Sequence, residues 1–238
     1  MLGTVEVAVG RLARFVASFA LVLGMVSQNS AVTRRFATMS LGSPVNHVAV
    51  IGDSYTSGTD EGGQGPNAWT ARTWETLAHQ GVHIAPDVVS EGRAGYGVIG
   101  AQGSYFEDLT ARAVRPNDAL AVFFGSRNDQ GVDPELLSEK ASRTFDLARR
   151  IAPSARLLVI GPPWPTADPP DALLQVNEII NRQASAVGAT YVDPIADQWF
   201  VGRPDLIGAD GIHPNDEGHV YLADKIAPLI RAQLSRRS

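Results

Sequence analysis

Val48-Ala49-Val50-Ile51-Gly52-Asp53-Ser54-Tyr55-Thr56-Ser57-Gly58 is an apolar, largely β-branched run that stops abruptly in small and polar residues. Val and Ile bounded by Gly-Asp-Ser read as a buried strand ending in a tight turn, which sets Ser54 at the strand's carboxyl end. In open α/β sheets that edge is where ligands bind. A serine there is a candidate nucleophile, but serine after glycine is also ordinary turn and helix-cap chemistry. The rest of the chain has to decide between the two.

Outward from that strand, strand-like and helix-like stretches alternate. Strands are predicted over 47–51, 86–90, 119–124, 156–160 and 189–192, and helices over 67–80, 98–113, 134–151, 171–187 and 217–234. Five βα units in succession predict an α/β fold in three layers, a parallel five-stranded sheet with helices on both faces. Right-handed crossovers restrict the topology to a doubly wound, flavodoxin-like arrangement. In the last helix Leu222, Ile226, Leu229, Ile230 and Leu234 recur every three or four residues as one apolar stripe that should pack on the sheet. Asp133 followed by Pro134 gives the helix from 134 a defined start, and its Leu136, Leu137, Phe145 and Leu147 read as core.

At 238 residues the chain is long enough for one sizeable core, and a hydrophobic fraction of 44% with 19% charged residues excludes disorder. The net charge of −5, with no basic run longer than the pairs Arg34-Arg35, Arg149-Arg150 and Arg236-Arg237, argues against a nucleic-acid partner. The absence of cysteine excludes disulfides, a thiolate nucleophile and cysteine-ligated zinc. Near the amino terminus, Arg11 and Arg14 precede an apolar run from Phe15 to Val26 that ends in Ser27-Gln28-Asn29-Ser30. That outline predicts a signal peptide or, because no Ala-x-Ala site follows, a membrane anchor through residues 15–26. An amphipathic or core helix is the alternative. Residues 1–45 are thus expected to be an export segment with a linker, and residues 46–238 one domain, monomeric, secreted or cell-envelope associated.

Three loops after strand-like runs hold polar residues that such positions do not need: Gly52-Asp53-Ser54, Ser90-Glu91-Gly92-Arg93-Ala94-Gly95-Tyr96-Gly97, and Phe124-Gly125-Ser126-Arg127-Asn128-Asp129. Far downstream, Asp210-Gly211-Ile212-His213-Pro214 sets an acid and a histidine three apart before the final helix. Alone, that pair reads better as a capped turn before a helix; the three loops reverse that reading. Serine-based ester or amide cleavage needs a base, an acid to orient it, and donors for the oxyanion. The chain offers one candidate for each role.

With these blocks in this order, residues 46 to 236 resemble the SGNH or GDSL-type serine hydrolases. The resemblance implies Ser54 as nucleophile, His213 as general base and Asp210 as the carboxylate that orients it. It also implies an oxyanion hole formed by the backbone N–H groups of Ser54 and Gly95 with the side-chain amide of Asn128. One departure stands out: the family's third block reads Gly-x-Asn-Asp, whereas Ser126 occupies the glycine position here. A side chain there is expected to alter the loop or narrow the pocket.

Gly95-Tyr96-Gly97-Val98-Ile99-Gly100 matches a dinucleotide fingerprint, but the acid at the expected distance, Asp118, begins the next strand instead of ending it. That reading also leaves Ser54, Asn128 and His213 idle. No P-loop, Gly-x-Ser-x-Gly elbow or metal-ligand spacing is present, so neither cofactor nor metal is expected. The expected reaction is hydrolysis of small-molecule, lipid or glycan esters. Acyl transfer to a sugar hydroxyl and non-catalytic glycan or lipid binding are the alternatives. Trp69 and Trp164 are candidates to stack on a sugar or line an acyl site, with burial as core residues the competing reading.

Overall fold

The computed structural model describes residues 45–235; apart from Val45, the predicted export segment and linker lie outside that range. Strand β1 (Asn46–Gly52) lies between β2 (Ile84–Ser90) and β3 (Leu120–Phe124), followed by β4 (Arg156–Ile160) and β5 (Thr190–Val192). All pairings are parallel and the order is β2-β1-β3-β4-β5, the flavodoxin-like order. Pro86, which cannot donate to a ladder, sits in the edge strand β2.

Because side chains alternate along a strand, each buried strand feeds both cores. Ala49, Ile51, Ala121, Phe123, Leu157 and Val159 face α3 (Phe106–Ala113), α4 (Pro134–Ile151) and α5 (Asp171–Ala186). Val48, Val50, Leu120, Val122, Phe124 and Leu158 face α2 (Trp69–His79) and α6 (Asp216–Ser235). The stripe expected on α6 packs as its spacing requires, with Leu222, Ile226 and Ile230 wholly buried. Each such side chain contributes about 1.5–3 kcal/mol of burial. Pro228 interrupts the hydrogen-bond ladder of α6 only on its exposed face.

One predicted helix starts late. The segment from 98 is loop until α3 begins at Phe106, because Glu91, 2% exposed, takes up the N–H groups of Gln102 and Ser104 that a helix would use. Gly103 turns left-handed there, at φ 92°. The helix itself starts where the Asp108 carboxylate accepts from the Tyr105 N–H. A short helix, α1 (Ser54–Ser57), follows β1 directly.

Candidate active site

The strand register brings Gly52, Ser90, Phe124, Ile160 and Val192 into one row, so the loops that follow leave from a single edge. At the end of β1 the chain turns tightly enough that a Cβ on Gly52 would lie 2.1 Å from Thr56 Oγ1. Asp53 is completely buried. Its Oδ1 accepts from the Tyr55 N–H at 2.9 Å, and its Oδ2 accepts from the Ser126 N–H, the Ser126 hydroxyl and the Asn128 amide at 2.8, 2.5 and 3.0 Å. Burial pushes the Asp53 carboxyl up to about 6 despite these donors. The carboxylate thus ties the β1 turn to the β3 turn (Arg127–Asp129, a single 3-10 turn) and fixes the backbone on either side of Ser54.

Ser126 is where a glycine is expected. Its hydroxyl turns inward onto Asp53, it is buried, and its φ of −112° needs no glycine. The substitution therefore adds a hydrogen bond to the turn in place of an obstruction in the pocket.

His213 arrives from the opposite direction, on the loop before α6. Its Nε2 lies 3.0 Å from Ser54 Oγ and its Nδ1 2.5 Å from Asp210 Oδ2. A carboxylate can only accept, so the imidazole proton sits on Nδ1 and Nε2 is left to accept from the serine hydroxyl. Asp210 Oδ1 accepts the N–H groups of Ile212 and His213, at 2.8 and 2.9 Å. Burial acts to raise the Asp210 carboxyl, but the bonds from the His213 side chain and these two N–H groups outweigh it and hold it low. The predicted nucleophile, base and orienting acid form one hydrogen-bonded row.

Sequence reasoning did not find what holds this loop. The Tyr55 hydroxyl donates to the Ile212 carbonyl at 2.5 Å, and the Ala209 N–H donates to Glu61 Oε2 at 2.6 Å. Asp216 at the start of α6 accepts from the Gly63 N–H and the Asn67 amide. The residue types gave no signal for these contacts, because each partner is about 150 residues away.

The expected oxyanion donors are arranged differently from the prediction. The Gly95 N–H donates to the Val98 carbonyl at 3.0 Å. The carbonyl of the preceding Ala94 accepts from Asn128 Nδ2 at 2.9 Å, and the same amide also serves Asp53. Both Gly95 and Asn128 are therefore engaged in internal bonds in this conformation. The Ser54 N–H, as a first-turn donor of α1, has no intrahelical acceptor. Glycine is required at 95, since a Cβ would lie 2.5 Å from Asp129 Oδ1.

The GDSL-like lipase/acylhydrolase family model matches residues 50–221, from β1 into α6. The chain belongs to that family. A GDSL lipase of Mycobacterium tuberculosis is 62% identical over 223 residues, covering 92% of this chain and 96% of that protein. Among solved structures, the psychrotrophic esterase EstA from Pseudoalteromonas sp. superimposes with a TM-score of 0.63 at 15% identity, covering 80% of this chain and 99% of that one. Est24, a carbohydrate acetylesterase from Sinorhizobium meliloti, gives 0.57 at 17% identity, covering 79% and 99%. At such identities these two speak for the fold alone.

The two tryptophans of this GDSL-type ester hydrolase part company. Trp69, expected as a pocket wall, is wholly buried against Phe124 in the core beneath α6, so it has no face to offer a substrate. Its backbone N–H donates to Nδ1 of His219, a buried imidazole that burial pushes down to about 4 and so keeps neutral. Trp164, after β4, is half-buried and stacks 5.4 Å from the Arg127 guanidinium at the same edge as Ser54.

Proposed function

We propose that the protein hydrolyses acyl esters through an acyl-enzyme on Ser54, with His213 as general base and Asp210 orienting it. The observation that carries this reading is the row Ser54 Oγ, His213 Nε2 and Nδ1, Asp210 Oδ2, with spacings of 3.0 and 2.5 Å. Ser54 Oγ bonds to the ester carbonyl carbon as its proton passes to Nε2; the alkoxide then leaves and takes that proton. Water attacks the acyl-enzyme carbonyl and gives a proton to Nε2; the acyl–Oγ bond then breaks, releasing the acid, and Ser54 Oγ takes that proton from Nε2.

The oxyanion formed in each step needs donors. The Ser54 N–H supplies one. Turning over the Ala94–Gly95 peptide would point the Gly95 N–H where the Ala94 carbonyl now stands, and would free one Asn128 N–H in the same movement. The φ change falls on a glycine, which tolerates it. Lipid and acylated-carbohydrate esters are the proposed substrates: the 62% identical relative is named a lipase, and a structural neighbour a carbohydrate acetylesterase.

Mass spectrometry after fluorophosphonate treatment tests the mechanism. A single adduct on Ser54, absent in Ser54→Ala, is expected; an unlabelled folded protein, or labelling that survives the substitution, overturns it. Residues 1–45 are proposed to direct export, on the strength of the Arg-flanked apolar run. A reporter fused after residue 45 should leave the cytoplasm, and its retention there would refute this.

A further inference from the structure

Resting on that reading, a specificity device follows from the pair Arg127 and Trp164. Arg127 stands between two residues that Asp53 anchors, Ser126 and Asn128, and its own carbonyl accepts the Gln130 N–H and side-chain amide. Its backbone is therefore fixed beside the nucleophile. Trp164 is held too: its indole N–H is shared between Thr166 Oγ1 and the Asp168 carbonyl at 3.0 and 3.1 Å. β3 and β4 are neighbours, so the two loops meet at the site's edge, and the guanidinium lies 5.4 Å from the indole centroid.

A guanidinium resting on an aromatic face keeps its N–H edge available for a planar anion. Among the described residues Arg127 forms no ion pair with any carboxylate, unlike Arg112, Arg115, Arg143, Arg182 and Arg203. Its charge does reach the Tyr55 phenol, whose ring is 6.0 Å from that of His213. In a chain of net charge −5, a half-buried cation without a counter-ion at the catalytic edge is suited to a charge that the substrate brings. We propose that Arg127, braced by Trp164, selects esters carrying a carboxylate or phosphate close to the scissile bond.

The test compares kcat/KM for mono-4-nitrophenyl glutarate and 4-nitrophenyl valerate, which differ by an acid-side charge, and for 3-acetoxybenzoate and phenyl acetate, which differ on the alcohol side. Arg127→Gln is expected to lower the anionic-to-neutral ratio at least about tenfold in one pair, chiefly through KM, and Arg127→Lys to recover part of it. Which pair responds tells whether the charge lies on the acid or the alcohol. Added salt should erode the wild-type preference. The proposal is overturned if Arg127→Gln leaves both ratios unchanged, which is the outcome of a role confined to holding the Trp164 loop. It is equally overturned if Arg93→Gln, a charge change at the exposed Arg93 two residues before Gly95, moves the ratio as much. A wild type that hydrolyses the neutral esters through Ser54 without charge preference sinks this inference alone. One that hydrolyses no ester sinks the acyl-enzyme reading and this inference with it.

Discussion

Ser54 is carried by the sheet, whereas His213 hangs on a loop, and the two halves of the site are stabilised by different means. On the sheet side, a run of wholly buried Val and Ile ends in a buried carboxylate that accepts four hydrogen bonds from the two adjoining turns. The position of Ser54 follows from the same packing that makes the core. On the loop side, Asp210 and His213 are partly exposed and are held by the bridge between Ile207 and Pro214, by Glu61 on Ala209 and by Tyr55 on Ile212. The contrast extends to the two carboxylates: burial lifts Asp53, while donors hold Asp210 low. A half packed into the sheet thus presents the hydroxyl, and a separately tethered half brings the imidazole to it.

The strongest attempt to break this picture is Ser54→Ala, which should lower kcat by something on the order of 10⁶-fold with the thermal midpoint nearly unchanged. Residual turnover within about tenfold of wild type in purified protein would move the nucleophile elsewhere. Asn128→Ala probes the link between the sheet turns and the proposed oxyanion site, and a fall in kcat of about 10²- to 10³-fold is expected. A change confined to KM would leave Asn128 as a brace for Asp53 and nothing more.

Asp53→Asn sharpens the account of the buried half. With its carboxyl lifted to about 6, folded Asp53 keeps a proton that the unfolded chain has already released above roughly pH 4. Its contribution to stability is therefore full below that pH and is lost as pH rises towards 6, by about 3 kcal/mol. Urea midpoints of wild type relative to Asp53→Asn should decline across that window. Parallel profiles would mean that Asp53 is ionised throughout. Tyr55→Phe, the mildest change, removes one tether of the loop half while keeping the ring on Phe124. A loss of about three- to tenfold in kcat is expected, the worth of one hydrogen bond. If Tyr55→Phe matched Asn128→Ala, the loop would be far less independently held than its other contacts indicate.

Much of the fold was legible because strand alternation and helical periodicity are local properties; five strands and the packing of α6 follow from them. The stretch before Phe106 was not, since a carboxylate from the end of β2 removes its helical donors, and no local pattern records that competition. Residue type and block order single out Ser54, Asp210 and His213 as candidates, yet that the three side chains meet is decided across 159 positions of sequence. Trp69 and Trp164 look alike as sequence, each near a glycine- or proline-rich turn, and only packing separates the core residue from the rim residue.

The sequence by itself determined the parallel sheet, the edge where polar loops collect, and the residue types available for acyl transfer, because hydrophobic periodicity and short-range turn chemistry are written in neighbouring residues. Tertiary structure alone decided that Ser126 bonds to Asp53, that the Gly95 and Asn128 donors are engaged internally, and that Arg127 meets Trp164. Those outcomes depend on which buried donors find which acceptors once distant loops share one edge, a competition that exists only after the chain has packed.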